Sequence, residues 1–225
     1  MTKKYNPKQT VEKILSTAHA LFTTKGYEKT SMQDIVEALG MSKGAIFHHF
    51  KSKEDILDAV MNQQYEQVNA EMRGWFHEVK GLPAKEKLQS LLLRNISDVE
   101  RMKEFNTLGI NMLGSPHLVL GVMQGNYEKS APVLAEVFRE GIADGSITTD
   151  FPDECAEVFL LLYNIWCDTF IFEADFSKVH KRLLFLQQMM ANMGADIMTD
   201  EIVEASMKVV KTLNLEVVKW NKKHS

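Results

Sequence analysis

The stretch GYEKTSMQDIVEALGMSKGAIFHHFKSKEDIL, residues 26–57, decides the fold. It reads as two short helices separated by a glycine turn and followed by the start of a third. Ser31, with Asp34 three residues on, is a helix-opening cap, and Ile35, Ala38 and Leu39 have the spacing of an inner face. Gly40 breaks that helix. Ser42 caps the next short helix, which packs through Ala45, Ile46, Phe47 and Phe50. Ser52-Lys53-Glu54-Asp55 repeats the cap signal and opens a long helix through Ile56, Leu57, Val60, Met61, Tyr65 and Val68 to about Phe76. Helix, glycine turn, helix is the arrangement that presents a second helix to base edges in the DNA major groove.

The demands of that groove are met residue by residue. Ala38 is small where two crossing helices must approach. Gly44 and Ala45 keep the recognition helix thin. Lys43, His48 and His49 project from it, and Lys51 and Lys53 lie where phosphates would pass. The amino end of the long helix at Ser52-Lys53 adds free backbone N–H groups and a partial positive dipole, which suits a phosphate. Ser31 and Ser42 also read simply as caps, and Phe50 as core. His48 and His49 could suggest a metal pair, but adjacent helical residues point about 100° apart and no third ligand lies near in sequence. DNA contact is the favoured reading.

Outward from this stretch, the charge is uneven. Residues 1–53 hold nine lysines against four acids, whereas residues 54–225 hold 17 basic and 26 acidic side chains. A basic end on an acidic body fits a localised polyanion site. The first helix is expected over Pro7–Thr24, on Val11, Ile14, Leu15, Ala18, Leu21 and Phe22, with Gly26 ending it. Gly81-Leu82-Pro83 marks a boundary, after which Leu88, Leu91, Leu92, Ile96, Val99 and Met102 predict a fifth helix. Four glycines and Pro116 in 105–125 predict shorter or kinked helices. Tyr127–Ala143, Asp153–Phe172, Ser177–Met193 and Thr199–Trp220 read as helices, with no strand alternation and no repeat. The expected fold is all-α: a DNA-binding helix-turn-helix domain of three helices over 1–53, then a larger helical effector-binding and dimerisation domain over 54–225.

The stretch Thr30–Leu57, with Gly40, Ser42-Lys43-Gly44, His48-His49-Phe50 and Ser52-Lys53-Glu54, closely resembles the signature of the TetR family of bacterial transcriptional regulators. The motif-level resemblance covers about residues 9–57; beyond it, only length and helical pattern agree. It implies a homodimeric, usually repressing DNA-binding protein with a carboxy-terminal effector domain. Carried onto matching positions, the family's DNA contacts fall on Ser31, Gln33, Lys43, Gly44, Ala45, Phe47, His48, His49 and Lys53. One position departs: the family commonly has tyrosine where this chain has Phe47, which cannot donate a hydroxyl to phosphate.

In the body, 153–172 is apolar on every helical face, so it must be buried both within its subunit and against something else. The resemblance names that partner as a second copy. Phe159, Leu162 and Ile165, with Val203, Val210 and Leu213 of the last helix, are the candidate interface; a buried helix in a monomer is the alternative. Phe105, Met112, His117, Met123, Tyr127, Tyr163, Trp166 and Phe170 are candidates to line a pocket for a partly apolar small molecule, though each also suits an ordinary core. Cys155 and Cys167 would lie roughly 18 Å apart on one helix, too far for a disulfide, as expected of reduced thiols in the cytoplasm. No secretory signal is read in Met1–Lys8, and the most apolar run is too short for a membrane span. No cofactor or metal is expected. Hydrolase elbow, phosphate loop and zinc signatures are all missing, so an enzyme finds little support. The reading is a ligand-responsive repressor on a pseudo-palindromic operator; a helical ligand- or partner-binding dimer with a vestigial DNA head is the competitor.

Overall fold

The computed structural model describes residues 6–97, 116–168, 172 and 174–224, with side chains except at 116–118 and 213–224. Those residues are helical, with no strand among them. Helix α1 spans Pro7–Lys25, opened by the Asn6 side chain accepting from the N–H groups of Lys8 and Gln9. Its buried face is Ile14, Leu15, Ala18 and Phe22, at the expected 3–4 spacing. Helix α2 spans Met32–Leu39. Ser31 and Asp34 form a full capping box, and Gly40 closes the helix at φ 62°, where a Cβ would be strained. Helix α3, Lys43–His49, begins on Ser42. Helix α4, Lys53–Glu78, opens with a second capping box between Ser52 and Asp55 and runs 26 residues, about 39 Å.

One core joins these helices. Ile14, Ala18, Phe22, Ile35, Ile46 and Phe50 close on Ile56, Leu57 and Val60 from the first turns of α4. This core therefore reaches past residue 53 into α4. Ala38 does not lie on the inner face where the spacing predicts it. It is exposed, because α2 turns Ile35 inward and leaves Ala38 on its outer side.

The second core is built from α5 (Ala84–Ser97), α6 (Pro116–Gly125), α7 (Ala131–Asp144), α8 (Pro152–Leu161), α9 (Phe176–Asn192) and α10 (Asp200–His224). Leu88, Leu134, Phe138, Phe159, Leu183, Leu186 and Ile202 are buried there. Buried Lys87 pairs with Glu140, and the Asp144 carboxylate accepts from the Ala84 N–H at 2.8 Å, tying α5 to α7. Cys155 and Cys167 are both buried and free.

Two π-turns interrupt this body. Asn126–Ser130 joins α6 to α7, with the Ala131 N–H reaching back to the Asn126 carbonyl. It lies just before Pro132, which has no N–H and would collide with the carbonyl four residues back in a regular helix. The wider turn relieves that clash. Of the punctuated stretch 105–125, the part from Pro116 is helical; the rest lies outside the described residues.

The second π-turn, Leu162–Trp166, follows α8. The helix expected to reach Phe172 instead ends at Cys167, the chain leaving helical form by Asp168. Buried Arg182 donates to the Trp166 carbonyl at 2.6 Å, satisfying that helix end from 16 residues away. No local pattern marks such a stop. No helix among the described residues is long and apolar enough to cross a membrane.

Candidate nucleic-acid interface

Helix α3 is held from beneath by Ile46, with no exposure, and by Phe50 at its end. Its other side is open. Lys43, Gly44 and His48 are exposed, while Ala45, Phe47 and His49 are half-buried. A Cβ built on Gly44 would meet nothing within 4 Å. The Lys43 ammonium lies 5.4 Å from the Phe47 ring centroid, so Phe47 steers a cation where a hydroxyl would otherwise stand. The His48 and His49 rings stand edge to face, 5.3 Å apart. No acidic residue lies on α3.

The flanking polar groups are engaged in several ways. Ser31 Oγ accepts from the Asp34 N–H at 3.2 Å and donates to the Asp34 carboxylate at 2.8 Å, so its hydroxyl serves the cap. That carboxylate is also 2.6 Å from the Lys25 ammonium. Lys25 and then Ser31 hold its pKa down at about 2. Gln33 is exposed and donates to Glu37 at 2.9 Å. Ser42 Oγ accepts from the Ala45 N–H at 3.3 Å. Lys51 is exposed, its ammonium donating to the Phe47 carbonyl at 3.2 Å.

Lys53, expected to meet a phosphate, is half-buried and has a partner within the chain. Its ammonium donates to the Tyr27 carbonyl at 2.9 Å and sits 4.1 Å from the Tyr27 ring centroid. It clasps the loop after α1 to the start of α4. Tyr27 itself is buried, edge-on to Phe22 at 5.2 Å. Burial, then the nearby Glu54 carboxylate, pushes its phenol pKa upward. Tyr27 is not among the residues expected at the site; its signal in the sequence is an aromatic directly after the helix-ending Gly26.

In the body, the candidate pocket residues do not converge among those described. Met123 and Tyr127 are exposed. Tyr163 stacks on Phe159 and shares a 2.9 Å hydrogen bond with Ser206; burial pushes its pKa to about 12. Trp166 lies against Arg182 and Phe185. His117 is on the first turn of α6, and Phe105, Met112 and Phe170 lie outside the described residues. Of the candidate interface residues, Phe159, Ile165 and Val203 are consumed by the chain's own core. Leu162 and Val210 are half-buried, and Leu213 is described only as part of α10. Exposed apolar side chains on α8 and α9 include Val158 and Leu161 on α8 and Phe176, Leu184 and Phe185 on α9.

Comparison with known proteins places this geometry. Residues 14–60 match the family described as bacterial regulatory proteins, tetR family. The regulator YerO of Bacillus subtilis is 33% identical over 97 residues, 43% of this chain and 34% of its own. The repressor KstR2 of Rhodococcus jostii is 26% identical over 153 residues, 65% of this chain and 72% of its own. Matches to the first curated relatives span about a third of their length or less. A solved TetR-family regulator of Mesorhizobium loti superposes with a TM-score of 0.57 at 22% identity, covering 93% of this chain and 97% of its own. Residues 14–60 therefore carry a helix-turn-helix domain that matches the tetR family, and the helical body behind it shares the fold of that solved regulator.

Proposed function

We propose that this chain is a transcriptional regulator: a homodimeric, ligand-responsive repressor that reads a pseudo-palindromic operator with α3. The observation that carries the reading is the bare, side-chain-free surface at Gly44, ringed by exposed Lys43, His48 and Lys51. Nothing among the described residues requires a glycine there, whereas close approach to a groove floor does. One short helix reads only a few base pairs, so two related by a two-fold axis are needed for a specific site. The apolar side chains of α8 and α9 support pairing between copies.

Helix α4 supplies the route from effector to DNA. Its first turns belong to the DNA-binding core and its middle packs on α6 and the first π-turn. Effector bound in the body would repack α6 and α7, shift α4, and alter the spacing of the two α3 helices. A coupling of about 1–3 kcal/mol changes operator affinity roughly 5- to 150-fold.

The test is anisotropy of labelled duplex at several salt concentrations. Duplex from beside the protein's own coding region should bind at least about 1,000-fold tighter than random duplex. Lys43→Ala should weaken binding and reduce the salt slope by about one unit. Lys53→Ala should chiefly lower the melting temperature of the amino-terminal core. Equal binding of specific and random duplex would overturn the proposal.

A further inference from the structure

Helix α3 carries a large aromatic side chain that the fold does not use. Phe47 belongs neither to the amino-terminal core nor to the side chains packed on it, whereas its neighbours Ile46 and Phe50 are core residues. The spacing predicts that α3 packs through Phe47; the structure instead leaves that ring half-buried on the outer side. Its face meets the Lys43 ammonium, 5.4 Å from the ring centroid. Its backbone is held as well, the Phe47 carbonyl accepting from the Lys51 ammonium at 3.2 Å. Lys43 lies four residues before Phe47 and Gly44 three, so all three share one side of α3. Because Gly44 is bare, a groove floor that comes up to it comes within reach of the ring one turn along.

A phenyl ring has no N–H or O–H to offer a phosphate. Half-exposed in water, it gains by covering apolar surface. In the major groove the edges of guanine, cytosine and adenine present donors and acceptors, and the one apolar group is the thymine C5-methyl. We infer that Phe47 is a specificity-determining residue that reads this methyl, so that each operator half-site holds a thymine beneath the Gly44–Phe47 side of α3. The inference rests on the regulator reading and names a base that the regulator selects. Lys43, on the face of the same ring, adds a charge that a duplex of any sequence satisfies.

The test starts from a pool of random-sequence duplexes enriched on the full chain. Each thymine of the enriched duplex is then replaced in turn by deoxyuridine, which pairs identically and lacks only the methyl. At one thymine per half-site the replacement should weaken binding about fourfold, and more than about tenfold when made in both half-sites. Phe47→Ala should bind the thymine and uracil duplexes equally, and Phe47→Leu, which keeps an apolar side chain, should keep part of the difference. Lys43→Ala should weaken both duplexes alike and leave their ratio unchanged. Phe47 lies outside the core, so its variants should melt with the unaltered chain; if Phe47→Ala does not fold, the graded loss in Phe47→Leu decides. An enriched duplex blind to uracil at every thymine, or a uracil effect that survives loss of the ring, overturns the inference and leaves the regulator reading standing. A pool that yields no preferred duplex sinks the regulator reading and this inference with it.

Discussion

Gly44 has no side chain for a reason the folded chain does not itself supply. Alanine there would touch nothing within 4 Å and would gain helix propensity, up to about 1 kcal/mol. Gly44→Ala should therefore leave the melting temperature unchanged or higher while cutting operator affinity at least about tenfold; equal affinity in an anisotropy titration would show that α3 does not approach DNA at this point. Asp34 makes the converse case, a residue whose work is internal. Its carboxyl is held at about 2 against an ordinary 3.8, first by Lys25 and then by the Ser31 hydrogen bonds. A depressed acid stabilises the fold above its unfolded pKa and loses that contribution as pH falls through its folded one. The Lys25–Asp34–Ser31 cap should thus be intact above about pH 4 and fail toward pH 2, and Asp34→Asn should flatten acid unfolding over that window when followed by circular dichroism.

At the scale of elements, α4 is positioned by one close approach. A Cβ on Gly125 would fall 2.1 Å from the Tyr65 ring, and the Tyr65 hydroxyl donates to the Val122 carbonyl at 3.1 Å. The rigid ring cannot step aside without α4 withdrawing from α6. Gly125→Ala should cost about 1–3 kcal/mol in urea denaturation, and unchanged stability would mean that the helices separate freely. The contrast with the caps explains what the sequence made legible. Ser31–Asp34 and Ser52–Asp55 are three residues apart, so a local pattern carries all their chemistry, and with it the helix-turn-helix. The Tyr65–Val122 bond spans 57 residues and the Lys53–Tyr27 clasp 26. Arg182 ends the helix at Trp166 from across the fold. No spacing rule reaches such partners, so Lys53 is legible as a charge but not as a clasp, and nothing local stops the helix short of Phe172. Apolar content alone likewise could not say which face of 153–172 stays outside.

For the molecule as a whole, that outside face is decisive. Val158 is 38% exposed, Leu161 40% and Phe185 55%, on helices whose other faces form the core. Phe185 also meets the Trp166 ring at 5.8 Å, beside the end of α8. If copies pair through this surface, Leu161→Glu with Phe185→Glu should convert a dimer to a folded monomer in sedimentation velocity. Specific operator binding should fall with it, since one α3 cannot span both half-sites. A doubly charged variant that still sediments as a dimer would move the contact elsewhere, α10 being the next candidate.

The two cysteines give the body a built-in clock. Burial, the larger effect, pushes the Cys167 thiol to about 11, so at pH 8 roughly one molecule in a thousand carries the reactive thiolate, and Cys155 is equally enclosed. Disulfide-exchange reagents should find the native protein inert and label it only as fast as the carboxy-terminal helices come apart. Because residues 1–60 contain no cysteine, that labelling rate ignores fraying of the DNA-reading end and times the rest of the chain by itself.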